Sequence, residues 1–216
     1  ELKLSYGNWN TINTSDRFSK RIINSFINYS HTDGDYPFTL TNGTLKTHER
    51  RNNGRTDAVN GEINASRDFA TESNHRSHLS AKLYYYYSDR QLPGGVIYYN
   101  NEAHERLWDE NCFVQAKYDL QLGRQWEMQF IGKYNHSWNK YFDGNQIDDG
   151  EITMHTYRYR QDETFLSVGV NYRAARTNDR LQMAVVVDET WNTLRNNIPE
   201  VGHKYRTTTY STLRIR

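Results

Sequence analysis

Three groups of residues have types and spacings that point toward chemistry. Asp143, Asn145, Asp148, Asp149 and Glu151 crowd into DGNQIDDGE, and clustered carboxylate and amide oxygens suit a hard cation such as Ca2+. The spacing departs from the EF-hand loop, which alternates its early oxygens and closes on a distant glutamate, so the competing reading is a solvated acidic loop. His31, Asp33 and Asp35 form a second set in an equally polar stretch. His75 and His78 form the third, with no further ligand close to them in the sequence. Cys112 is the single cysteine, and it falls on the apolar side of its segment. Neither a Cys-His pair nor a Ser-His-Asp order can be argued. The residues therefore predict a protein that is not an enzyme and carries no cofactor, a Ca2+ ion in the acidic loop being the alternative reading.

Composition narrows the remaining classes. The chain has 216 residues, 36% hydrophobic and 25% charged, with a net charge of +1. It is long enough for one sizeable domain. The near-zero charge gives no electrostatic reason to expect a nucleic-acid partner. A lone cysteine excludes an internal disulfide framework. Mean hydropathy is −0.98, low enough to suggest disorder, yet 14% of the residues are aromatic and 17 are Tyr. That aromatic and β-branched content argues for sheet. No apolar run approaches the roughly 18 residues of a membrane-spanning helix.

The elements that must position these residues follow a period of two. In QWEMQFIGKYNHSW, Trp126, Met128, Phe130 and Tyr134 alternate with Gln125, Glu127, Gln129, Lys133 and Asn135, as in a strand with one apolar and one polar side. Leu166, Val168, Val170 and Tyr172 repeat the pattern, as do Leu181, Met183, Val185 and Val187. Further strands read through Val59–Ala65, Leu79–Tyr87 and Val114–Leu120, with fainter ones near Leu2–Tyr6, Ile23–Tyr29 and Tyr205–Ile215. The expectation is an all-β antiparallel meander of about nine long strands.

Connections alternate in length. ATESN, LGR and ARTND are short, whereas residues 31–55, 88–108, 139–160 and 192–203 are long and polar. Short turns on one side and long loops on the other are the pattern of an outer-membrane β-barrel. Trp9 and Trp126 are expected at the short-turn side, and Trp108, Trp138 and Trp191 at the other, as two aromatic girdles. The run YYYYSDRQLPGGVIYYN then reads as an interface crossing, with Tyr85 and Tyr87 toward lipid and Tyr84 and Tyr86 toward a polar lumen. The expected lipid side carries no charge in its centre. Bacterial single-chain barrels have even strand numbers, so an odd count points to a piece of a larger barrel. A soluble β-sandwich is the alternative fold, because it too alternates apolar and polar positions.

Residues 28–38 (NYSHTDGDYPF), ERRNN, the tyrosine run and ERLWDENCFVQAKY together resemble the barrel of a TonB-dependent outer-membrane receptor of the cobalamin and siderophore type common in Bacteroidota. The resemblance is strongest over residues 28–138. It implies a barrel of about 22 strands around an N-terminal plug, of which residues 1–216 form a partial barrel domain without the plug. It further implies a place in the bacterial outer membrane and contact with its lipid. The remaining strands, the plug, an inner-membrane energy-coupling protein and a small-molecule ligand are the implied partners. Ligand contact is expected from aromatic residues of the long loops, Tyr36, Phe38, Tyr98, Tyr99, Trp138 and Tyr141, since rigid amphipathic rings give contact area at modest entropic cost. Transport of a scarce metal chelate or cofactor is the expected function; a carbohydrate-binding or adhesin sandwich is the alternative.

Overall fold

A computed structural model describes residues 1–71, 75–94, 103–148, 151–174 and 181–215. Its elements are β1 (Leu2–Gly7), β2 (Thr11–Lys20), β3 (Ile23–Thr32), β4 (Pro37–Asn42), β5 (Leu45–Arg50), β6 (Thr56–Thr71), β7 (His75–Gln91), β8 (Arg106–Leu122), β9 (Trp126–Asp148), β10 (Glu151–Arg173), β11 (Gln182–Asn196) and β12 (Lys204–Ile215). Ten of these form one antiparallel sheet in the order β1-β2-β3-β6-β7-β8-β9-β10-β11-β12, and β4 pairs with β5 in a separate hairpin. The all-β antiparallel meander expected from the sequence is present. Among the described residues β1 pairs only with β2 and β12 only with β11.

Register shows which residues share a face, because directly opposed residues point the same way. One row crosses the sheet as Leu79, Tyr118, Phe130, Val168 and Val187. The row on the other side reads Asn64, Lys82, Gln115, Lys133, Phe165 and Thr190. The apolar set expected on β9 to β11 therefore does share one face, and Gln129, Lys133, Ser167, Asn171, Gln182 and Asp188 share the opposite one. Glu189 is the exception, since it stands opposite Leu166 on the apolar side and accepts a hydrogen bond from the Thr209 hydroxyl.

Exposure runs opposite to that of a soluble sheet. Along β7, Leu79, Ala81, Leu83 and Tyr85 are exposed, whereas Ser80, Lys82, Tyr84 and Tyr86 are half-buried and Ser88 is buried. Val168 is 42% exposed, and its neighbour Ser167 on the other face only 8%. Among the described residues no second layer covers either face. A face without a covering layer is sheltered when the sheet curls around it, so the polar face is concave and the apolar face convex.

Several expectations are corrected. The sequence count omitted Thr11–Lys20, where Thr, Ser and Asp blur the alternation, and the β4–β5 hairpin inside the 31–55 connection. The main sheet thus has ten strands, an even number, and the argument from an odd count no longer holds. Inserting β2 also moves Trp9. It lies in the β1–β2 turn at the long-connection end, beside Tyr36 with ring centroids 5.9 Å apart. There Trp9 and Asn10 adopt φ of 54° and 52°, the left-handed pair that matches strand twist in a tight hairpin. The 139–160 loop does not exist as drawn: β9 and β10 each run 23 residues and pair from Tyr172–Trp126 up to Glu151–Asp148. Hydropathy failed there because both faces become polar while Tyr, Phe, Ile and Thr keep their strand preference. Likewise β7 and β8 extend to Gln91 and Arg106, which shortens the 88–108 connection.

Candidate functional site

The concave face gathers the polar side chains of six strands into one surface. Toward the short-turn end lies a cavity of about 810 Å³ lined by Asp68, His78, Asp119, Glu127, Gln129 and Asn171, among others. Each lining carboxylate has a partner. Asp68 lies 2.6 Å from His78 Nδ1, Asp119 accepts from Lys117 at 3.0 Å and from Gln129 at 2.8 Å, and Glu127 accepts from Arg173 at 3.2 Å and Asn171 at 3.0 Å. Higher up, Lys82 pairs with Glu62 at 2.7 Å, and Asn64 donates to the same carboxylate at 2.6 Å. Lys82 and Lys133 also sit over the Phe113 ring, which stacks on Tyr84 at 5.2 Å. Near the long connections Asp109 receives both Arg90 and Asn139. The result is a wall of mostly paired donors and acceptors, with Ser88 Oγ, Arg90 Nε and Asn192 Nδ2 buried on it without a hydrogen-bond partner among the described residues. Such a wall is fit to meet a hydrated or polar surface.

The rim at the long-connection end is tied by backbone contacts. Arg51 donates to the carbonyls of Pro93 at 3.1 Å and Gly94 at 2.6 Å, and Asn53 to those of Leu92 at 2.9 Å and Glu105 at 2.8 Å. The stretch after β5 is thereby fastened to the connection between β7 and β8. Gly34 and Gly54 cross so closely that a Cβ on either would fall within 2.5 Å of the other's carbonyl oxygen. This requires glycine at both positions.

The residues expected to bind ligand do not converge. Tyr36 is 43% exposed and packs on Trp9; Phe38 lies on β4 and is half-buried. Trp138 and Tyr141 belong to β9 rather than to a loop, which corrects their expected placement. Trp138 shares the convex face, opposite Arg160 and Glu110, whereas Tyr141 is on the concave side, stacked on Tyr157 at 6.3 Å. Tyr98 and Tyr99 lie outside the described residues. Of the acidic set, Asp143 stands opposite His155, and Asp148 opposite Glu151, across β9 and β10. The side chains of Asp148 and Glu151 and the whole of Asp149 lie outside the described ones. Among the described residues no three His, Cys, Asp or Glu side chains gather at metal-binding range. His31 spends both ring nitrogens on Asp57 and Asp33. His75 and His78 occupy opposite faces of β7, and Cys112 shares the convex face with Tyr85 and His136.

Asp68 and Asp119 were missed in the sequence. Each is an unremarkable polar residue in its own strand, and only the register β6–β7–β8–β9 brings Asp68, His78, Asp119 and Gln129 into one row.

Fold and surface define the class: an all-β antiparallel meander with one exposed apolar face and one sheltered polar face. No family model matches this chain, and no curated protein matches it either.

Proposed function

We propose that this chain is a segment of the wall of a bacterial outer-membrane β-barrel of the TonB-dependent receptor type, serving uptake of a scarce metal chelate or cofactor such as a siderophore–iron complex or cobalamin. The inverted faces support the wall. Residues such as Leu83 and Leu166, 49% and 46% exposed, are favourable against acyl chains and unfavourable against water. The half-buried polar side of the sheet suits a hydrated filling, the role of an N-terminal plug moved through an inner-membrane energy-coupling protein. Within barrels, the receptor assignment rests on the resemblance of residues 28–138. The aromatic residues of the long-connection rim, with Tyr36 and Phe38 in front, are the proposed first contacts for ligand. A soluble carbohydrate-binding or adhesin sandwich would need a second layer over the convex face.

Protease applied to intact cells that carry the full-length protein tests this. Cleavage is expected in the connections at 33–36 and 92–94, with the 123–125 turn spared. Recovery of the protein in the soluble fraction, or cleavage at 123–125 instead, would overturn the reading.

A further inference from the structure

Toward the long connections the convex face changes from apolar to charged. Two cations there are neutralised by a neighbour: Arg55 lies 2.8 Å from Asp57, and Arg106 pairs with Asp89. Strands β9 to β11 break this pattern. Arg158 stands directly opposite Lys140, and Arg160 directly opposite Arg195. All four share the face of Val168. Like charges opposed across a strand pair repel one another.

The carboxylates nearby do not cancel this surplus. Asp162 reaches Arg160 at 3.3 Å, but its other oxygen is taken by His136 and Tyr134. Glu110 stands on the same face, opposite Trp138. Among the described residues no carboxylate pairs with Arg158, Arg195 or Lys140. Yet the Lys140 ammonium and the backbone that carries Arg158 are held in place. Lys140 lies over the Trp108 ring, 4.3 Å from its centroid. The Arg158 amide donates to Asn197 Oδ1 at 2.7 Å, while Asn197 Nδ2 donates to the Thr156 carbonyl at 2.7 Å. A shared anion offsets the repulsion, and planar guanidinium groups match phosphate oxygens in pairs.

We infer that Arg158, Arg160, Arg195 and Lys140 bind the phosphate-bearing headgroup of a membrane lipid. Position selects the source of the phosphate. The patch begins beside Trp138, directly opposite Arg160, and Trp191 precedes Arg195 on the same face. Below them runs the apolar strip of Leu166, Val168 and Val187, where acyl chains would lie. A headgroup anchored by its tail meets this patch at high local concentration, whereas a free anion does not. The inference rests on the membrane-wall reading.

The test uses the full chain folded into detergent micelles and titrated with phosphatidic acid or with phosphatidylcholine of the same acyl chains. Retained lipid is counted by native mass spectrometry. Phosphatidic acid should be retained at least about tenfold more strongly, and the double variant Arg158→Gln/Arg195→Gln should lose most of that preference, given the worth of a cation near a membrane surface. Lys82→Gln, on the concave face, should keep it. Equal retention of the two lipids, an unchanged preference in the double variant, or equal competition by inorganic phosphate would each overturn the lipid site. Micelle insertion, read separately by β-sheet circular dichroism and detergent dependence of solubility, reports on the wall itself. A chain that is folded and soluble without detergent would remove both readings.

Discussion

His136 and Asp162 face each other across β9 and β10, with Nδ1 2.7 Å from Oδ1, and His31 and Asp57 repeat the relationship across β3 and β6 at the same distance. In both cases the two residues are 26 apart in the chain. A tyrosine two residues before each histidine donates to the same carboxylate oxygen, Tyr134 at 2.8 Å and Tyr29 at 2.9 Å. An arginine two residues before each aspartate approaches its other oxygen, Arg160 at 3.3 Å and Arg55 at 2.8 Å. Two strand pairs thus carry one four-residue cluster on the convex face, in different rows of the sheet: the Asp57 row runs through Asp89, Trp108 and Lys140 to Arg158, four residues before Asp162. The pattern Tyr-x-His with Arg-x-Asp is visible in the sequence once the strand pairing is known.

Because each aspartate serves three donors, removing it should cost more than removing any one of them. Asp57→Ala and Asp162→Ala are each expected to destabilise by about 2–3 kcal/mol, against about 1 kcal/mol for Tyr29→Phe or Tyr134→Phe. The clusters share no partner, so the double aspartate variant should show an additive loss. Denaturant titration of the folded chain checks both magnitudes; strong non-additivity would show that the two clusters are coupled.

The faces give a second expectation. Val168→Arg places a charge in the middle of the apolar row and should destabilise the membrane-inserted chain by about 2–4 kcal/mol. Thr190, half-buried on the concave side between Phe165 and Thr208, should accept Arg with little loss. Ser167 is a poorer control because it is only 8% exposed and a long side chain there meets its neighbours. Equal effects at Val168 and Thr190, measured by unfolding from micelles, would contradict a lipid-facing apolar row.

At the rim, sterics and backbone conformation are separable. Gly54→Ala would bring a Cβ to 2.5 Å from the Gly34 carbonyl oxygen, while Gly43→Ala meets nothing within 4 Å despite a φ of +58°. Gly43→Ala should cost only about 1 kcal/mol for the left-handed conformation. Gly54→Ala has to push the two segments apart, so hydrogen exchange should rise at Arg51, whose amide bonds to the Tyr36 carbonyl at 2.9 Å. Unchanged protection in Gly54→Ala would show that the crossing gives way elsewhere.

The sheet's two ends supply a further expectation. On the β1 and β12 edges the outward backbone groups have no strand partner among the described residues, and an open edge in lipid recruits another strand. The 216-residue chain reconstituted alone in liposomes should therefore associate edge to edge rather than transport. Cross-linking after reconstitution should give oligomers. Monomeric insertion with ligand uptake would show that this segment closes by itself.

The sequence alone determined the strands of the middle of the sheet and the face each residue takes. Alternation needs no partner: Met128 and Phe130 must share a side of any strand that contains both. It determined less where the alternation of hydropathy stops carrying information. Thr11–Lys20 mixes polar residues on both faces, and residues 139–148 and 151–160 leave the apolar band with neither side hydrophobic, so β2 and the upper parts of β9 and β10 became legible only through backbone pairing. The ligand-facing rings show the same limit, since Trp138 lies on the convex face and Tyr141 on the concave one. Tertiary structure alone decided what stands across from what. Register, set by the hydrogen bonds between strands far apart in the chain, put Asp68 beside His78, Arg160 opposite Arg195, and Gly34 against Gly54. Curling of the sheet then decided that its polar side is the sheltered one, a relation between strands that no single strand's sequence contains.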